Sequence, residues 1–194
     1  MLDSAVRIFS ERGFHNASMD EIAERAGISK PMVYAYLGSK EELFVACMQR
    51  EGSRLLEAIV AVVDPALPPD QQLWRGMRAF FGFVAAHRDG WLVLHRQARA
   101  EQPFAGQLGQ MRARMVEVIA GMLGRALVGH RRQIRDGELT VLAYALVGAT
   151  ESLADWLVDH PDADPDRTAT RMMNIAWVGA GHLLRGETWR PVAR

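Results

Sequence analysis

Lys30 and Lys40 are the only lysines in a chain of 194 residues whose Lys and Arg together number 23. Tyr34 and Tyr36 fall between them. An ammonium is a compact point charge and a phenol a directional donor, and both suit the oxygens of a phosphate. The chemistry implied is recognition rather than bond making. The six histidines include no H-E-x-x-H, no Glu-x-x-His pair and no His/Cys cluster, so neither zinc nor a pair of irons is expected. G-x-S-x-G, a P-loop and G-x-G-x-x-G are absent, as is the strand alternation such motifs need. No enzyme activity, cofactor or metal is expected.

The elements that position these residues are legible in the spacing around them. Ser18 and Glu21 stand at the separation of a capping box, which predicts a helix over 19–26 with Met19, Ile22, Ala23 and Ala26 on one face. Gly27 supplies the left-handed residue past its last turn. Ser29 can cap the next helix, over 30–36, and Pro31 sits in its first turn, where its missing N–H has no intrahelical role. Val33 and Leu37, four apart, are expected to bury. That leaves Lys30, Pro31, Tyr34 and Ala35 facing outward, with Met32 at the border. Ser39 and Glu42 make a second capping box, which opens a long helix over 40–63 with Lys40 in its first turn. The arrangement is a helix-turn-helix.

RIFSERGF followed by IAERAGISKPMVYAYLGSKEELF resembles the DNA-binding domain of the TetR family of bacterial one-component regulators, over roughly the first quarter of the chain. The resemblance implies that Lys30, Pro31, Met32 and Ala35 face base edges in the major groove, that Ser18, Tyr34, Tyr36 and Lys40 hold phosphates, and that Ser29 belongs to the same DNA-binding set. Phosphate contacts set register and base contacts set sequence choice. Ala35 offers only a methyl, which suits a thymine methyl. Members of the family commonly carry a basic arm and a longer first helix. Here the first helix opens almost at Met1, with Leu2, Ala5, Val6 and Phe9 as its buried stripe, so some phosphate contacts are expected to be missing. Residues 1–46 carry five Lys or Arg against seven Asp or Glu. Weak non-specific affinity and a shallow salt dependence follow.

The rest of the chain also reads as all-α, with helices expected over 2–12, 70–87, 90–99, 104–130, 137–159 and 165–185. Breaks fall at Asp64 to Pro69, Arg88 to Gly90, Glu101 to Pro103, near Arg135 and from His160. With the three helices already placed, the total of nine matches the family's usual architecture. It divides into a helix-turn-helix domain over 1–46, with the start of the linking helix 40–63, and a helical effector-binding and dimerisation domain over 47–190.

Leu139 to Thr150 and Met172 to Leu184 contain no Asp, Glu, Lys or Arg. Helices apolar around most of their circumference must be covered on more than one side, by their own domain or by a partner molecule. The small residues Ala145, Gly148, Ala149, Ala176, Gly179 and Ala180 permit close approach. The family resemblance implies a two-fold homodimer bundle here, with Trp177 and Leu183 in the same interface. Two recognition helices about 34 Å apart would then read a palindromic operator.

Bulky side chains crowd the middle helices, and Met and aromatic stripes at helical spacing are ordinarily core packing. The resemblance implies a small-molecule cavity among them, for which Trp91, His95, Met111, Met115, Tyr144, Glu151 and Trp156 are the candidate effector-binding residues and a mostly apolar effector the expectation. Effector binding would favour a conformer with weakened operator affinity, which describes a repressor released by its ligand. The alternative is a ligand-independent regulator, or a protein-interaction adaptor on the same fold with weak DNA binding. A single cysteine, Cys47, excludes an intrachain disulfide and reads as a small packed hydrophobe. No charged and apolar leader opens the chain, and no uninterrupted apolar run of about 18 residues occurs, so a cytoplasmic protein without a membrane partner is expected.

Overall fold

A computed structural model of the chain describes residues 1–126 and 136–184. The expected helix ends at 127–130 and 185, the break near Arg135 and the domain end at 190 lie outside the described residues, as do the side chains of Leu37, Ala180 and Leu183. Among the described residues there are nine helices and no strand. They are α1 (Leu2–Asn16), α2 (Met19–Ala26), α3 (Lys30–Leu37), α4 (Lys40–Val60), α5 (Pro69–Ala86), α6 (residues 88–100), α7 (Gln102–Ala126), α8 (Asp136–Asp159) and α9 (Pro165–Leu184). Regular α1 geometry ends at Gly13, whose φ of 77° and ψ of 163° break the helix where the sequence reading ended it. The expected break at Arg88 to Gly90 is corrected. Those residues form the first turn of α6, which continues as a π-helical stretch over Leu92–Gln97 and closes with Ala98–Ala100.

Packing divides the chain into two compact units. The first joins Met1–Ala58 to Phe83–Met111, and so draws α6 and the start of α7 to the helix-turn-helix. Its centre is aromatic. Phe44 lies 5.0 Å from Phe9, 5.2 Å from Phe14 and 4.4 Å from Phe104, measured between ring centroids. Each such ring, fully buried, contributes about 1.5–3 kcal/mol of transfer free energy, and edge-on pairs add about 0.5–1.5 kcal/mol. Ile8, Ile22, Val33, Leu43 and Met48 complete the core. Glu51 is buried beside it, and its carboxylate is held by Arg50 at 2.7 Å and Arg54 at 3.4 Å. Two guanidiniums supply what water no longer can. Cys47 is buried as expected, and desolvation pushes its thiol up from the ordinary 9.0 to about 12.

The second unit comprises Ile59–Gly82 and the described residues from Arg112 onward. Val116 on α7 packs against Ala143 and Val147 on α8, with Met115, Ile119 and Ala120 at the margin. Arg112 clasps the Glu151 carboxylate through Nε at 3.0 and 3.1 Å. Arg78 on α5 forms a two-point pair with Asp166 at 2.7 and 3.0 Å. Within α8, Gly137–Asp159 is long and apolar enough, by length and composition alone, to cross a bilayer, and 28 % of its most apolar stretch is buried. The run is not uninterrupted: isolated carboxylates break it without offsetting its average.

The faces of α8 and α9 sort the expected dimer residues. Ala145, Ala149 and Gly179 are exposed, and Trp177 is half-buried. Gly148 lies beneath the Arg112 guanidinium of the same unit. Ala176 is corrected as an interface residue, because it is only 5 % exposed and continues the inward stripe of Ala169 and Met172. The outward positions belong to Val141, Tyr144, Ile175 and Val178, which the sequence reading did not assign to a dimer.

Candidate nucleic-acid interface

The first two helices of the motif are joined by the turn their sequence calls for. Gly27 adopts the left-handed conformation at φ 68°, ψ 28°, and its N–H reaches back to the last turn of α2. The Ile28 N–H closes the turn on the Ala23 carbonyl at 3.1 Å, so carbonyls that the helix end leaves open are satisfied. Two expected caps differ. Ser18 Oγ accepts from the Asp20 N–H at 3.2 Å, and Glu21 turns instead to Arg12 at 3.3 Å, so the first capping box does not form. Ser29 holds the extended cap conformation, but its side chain makes no capping bond. The second box is reciprocal as expected: the Ser39 N–H donates to Glu42 at 2.8 Å, and the Glu42 N–H donates to Ser39 Oγ at 3.1 Å.

Burial of Val33, which is fully enclosed, fixes the rotation of α3. Pro31, Met32, Tyr34, Ala35 and Tyr36 are consequently exposed, Tyr36 most fully at 68 %. A contiguous row of solvent-facing rings and methyls on a two-turn helix is uncommon for a monomer surface and suits a surface that meets a partner.

The electrostatics are unusual. Lys30 Nζ is held by Asp20 of α2 at 2.8 and 3.0 Å, and this carboxylate raises the lysine's pKa above its ordinary value. Lys40 Nζ donates to the carbonyls of His15 and Ala17 at 3.0 and 3.2 Å and stands over the Phe14 ring at 4.8 Å. It thereby fastens the start of α4 to the end of α1. Arg7 and Arg25 both hold Glu11, at 3.0 and 3.1 Å, and together they lower its pKa. With Arg12 on Glu21, all five cations of residues 1–46 are engaged within the unit. Apart from Arg7 and Glu11, which stand four apart on α1, the ion pairs join different helices, and no sequence period announces those.

The seven candidate effector residues do not share one unit. Trp91, His95 and Met111 belong to the first, where Trp91 and His95 are buried and stack at 4.6 Å. Met115, Tyr144, Glu151 and Trp156 belong to the second. Tyr144 and Trp156 are exposed, and Trp156 stacks on His160 at 4.4 Å. One open depression of about 680 Å³ lies in the second unit, between residues 61–64, Arg75, Arg78, Ala79 and Asp166. Another, of about 440 Å³, lies in the first, around Asp3, Arg7, Arg50, Arg54 and residues 85–90. None of the seven residues lines either one.

Residues 1–47 match the family model described as bacterial regulatory proteins, tetR family, and residues 69–179 match that of a tetracyclin repressor-like C-terminal domain. The HTH-type transcriptional activator FasR of Mycolicibacterium smegmatis is 29 % identical over 187 residues, which cover 94 % of this chain and 82 % of that protein. A TetR-like transcriptional regulator from Rhodococcus sp. RHA1, known as a crystal structure, is 44 % identical with a TM-score of 0.81 over 93 % of each chain. The transcriptional regulator FadR from Bacillus subtilis, crystallised in complex with stearoyl-CoA, shares the fold at 14 % identity, with a TM-score of 0.76 over 90 % of this chain and 95 % of the other.

Proposed function

The chain belongs to the tetR family of bacterial transcriptional regulators, which are not enzymes, and from that premise we propose that it works as a cytoplasmic homodimer that binds a palindromic operator and is released by a small, mostly apolar effector. The observation that carries this reading is the rotation of α3: Val33 is buried while Lys30, Pro31, Met32, Tyr34, Ala35 and Tyr36 are exposed, which would leave the first three and Ala35 to meet base edges and the two tyrosine hydroxyls to meet phosphates. Ser18 and Lys40, at the starts of α2 and α4, supply further phosphate donors, and Ser29 opens the recognition helix. Dimerisation would cover the outward apolar side chains of α8 and α9, where Val141, Tyr144, Ile175 and Val178 stand beside Ala145, Ala149 and Gly179.

The effector side rests on the buried Trp91 and His95, with Met111 in the same unit, and on the stearoyl-CoA with which FadR from Bacillus subtilis crystallised. A fatty acyl thioester is the effector class we favour. It acts by population shift, so it must bind the DNA-incompetent conformer more tightly than the competent one. A second reading, activation from the operator rather than repression, is favoured by the similarity to FasR, an HTH-type transcriptional activator. The test is a fluorescence-anisotropy titration of labelled operator duplex with acyl-CoAs of increasing chain length, paired with a promoter-reporter assay. Release that strengthens with chain length supports the proposal. Indifference to every acyl-CoA contradicts the effector reading, and a fall in reporter output on deleting the gene contradicts repression.

A further inference from the structure

Asp20 sits at the start of α2 with a side chain 63 % exposed, and its two carboxylate oxygens lie 2.8 and 3.0 Å from Lys30 Nζ at the start of the recognition helix. Lys30 has one positive charge and three N–H donors. Engaged this way, it retains donor capacity for a base edge but contributes no net charge. The remaining cations of the first 46 residues are held as well, by Glu11, Glu21 and the His15 and Ala17 carbonyls.

We infer that Asp20 is a specificity-determining residue of the DNA surface, which positions Lys30 for one base acceptor and cancels its attraction for phosphates at large. The inference rests on the operator-binding reading above. Non-specific affinity comes from counterion release, and a lysine paired to a carboxylate releases none until the pair breaks. Breaking it on arbitrary DNA leaves the Asp20 charge among phosphates. On the operator the pair stays closed, because a guanine O6 or N7 at the right place is a neutral acceptor within reach of the lysine's remaining donor capacity. The surface therefore discriminates by withholding binding from the wrong sequence as much as by strengthening it on the right one. The acidic balance of the first 46 residues becomes part of the reading mechanism.

The experiment measures binding of the full chain to operator and to random duplex across a salt series, for wild type, Asp20→Asn, Glu24→Gln and the double variant Asp20→Asn, Lys30→Gln. Asn keeps the backbone N–H that Ser18 Oγ receives, so the helix cap survives. Glu24 is exposed on the same helix and makes no ion pair among the described residues, so its variant removes the same charge without touching Lys30. Asp20→Asn is expected to steepen the random-DNA salt slope by about 0.9 per protomer, which amounts to about eightfold tighter binding per protomer at 0.1 M salt relative to 1 M. Operator affinity rises less, so the specificity ratio falls. The effect is absent in the double variant and smaller in Glu24→Gln. An unchanged slope in Asp20→Asn, an equal change in Glu24→Gln, or an effect that persists without Lys30 overturns the inference while leaving operator binding intact. Failure of the wild type to bind any duplex overturns the operator reading itself, and this inference with it.

Discussion

Replacing Ile175 by Ala tests whether a second copy covers the outer faces of α8 and α9. Full burial of an aliphatic side chain is worth about 1.5–3 kcal/mol. Ile175 keeps 70 % of its surface exposed within one chain, which leaves about 1–2 kcal/mol to be gained on association. A two-fold interface counts every residue twice, so the dimer stands to lose about 2–4 kcal/mol, or roughly 30- to 700-fold in its dissociation constant at 1.4 kcal/mol per decade. Val118 on α7 is the control. It is 67 % exposed, but it lies two residues from Val116, toward the side of α7 away from the α8 contact. Sedimentation equilibrium over a concentration series reads the dissociation constants directly. The wild type should be dimeric at micromolar concentration, Ile175→Ala should shift the midpoint within that range, and Val118→Ala should leave it in place. A monomeric wild type, or equal weakening by both variants, refutes the assignment of this face.

Three further outcomes follow from local geometry. Gly13 occupies a backbone region open essentially to glycine alone, so Gly13→Ala should destabilise the fold by about 1–3 kcal/mol, against about 1–2 kcal/mol for Gly27→Ala in the ordinary left-handed well; thermal denaturation ranks the two, and a Gly13→Ala protein as stable as wild type contradicts the geometry. Ser39→Ala should cost about 0.5–2 kcal/mol through its lost capping bond, whereas Ser29→Ala, which removes none, should leave the melting temperature unchanged. The pKa of Cys47, raised from 9.0 to about 12 by burial, keeps the thiol protonated at pH 8 and lowers its thiolate fraction about a thousandfold. Native protein should react with a disulfide reagent only as fast as it opens, and the denatured chain at once; prompt labelling of the native form contradicts the burial.

What the sequence disclosed was what neighbouring residues decide among themselves. The Gly27 turn, the Ser39 and Glu42 box and the inward turn of Val33 each depend on groups within a few positions, and spacing suffices to read them. The Phe104 ring joins Phe9, Phe14 and Phe44 from 60 or more residues along the chain, and the Asp20 to Lys30 pair spans two helices; neither leaves a period in the sequence. Ala176 has the size of an interface residue, but its side is set by Met172 one turn earlier, so composition alone placed it wrongly. The π-helical stretch of α6 shifts the register of Trp91 and His95 relative to the residues beyond it, which an α-helical period cannot anticipate. The candidate effector residues follow from residue chemistry and the family resemblance, neither of which carries the packing that distributes them over two units.

Selection of binding sequences from random duplex DNA, with wild type beside a Lys30→Ala, Tyr34→Phe double variant at fixed salt, addresses the central claim most directly. A two-fold reader with its base contacts on α3 should recover an inverted repeat with half-site centres about one helical turn apart, and the double variant should enrich it weakly or not at all. Recovery of no sequence, or of the same repeat with equal strength by both proteins, would contradict the account of α3 as the recognition helix.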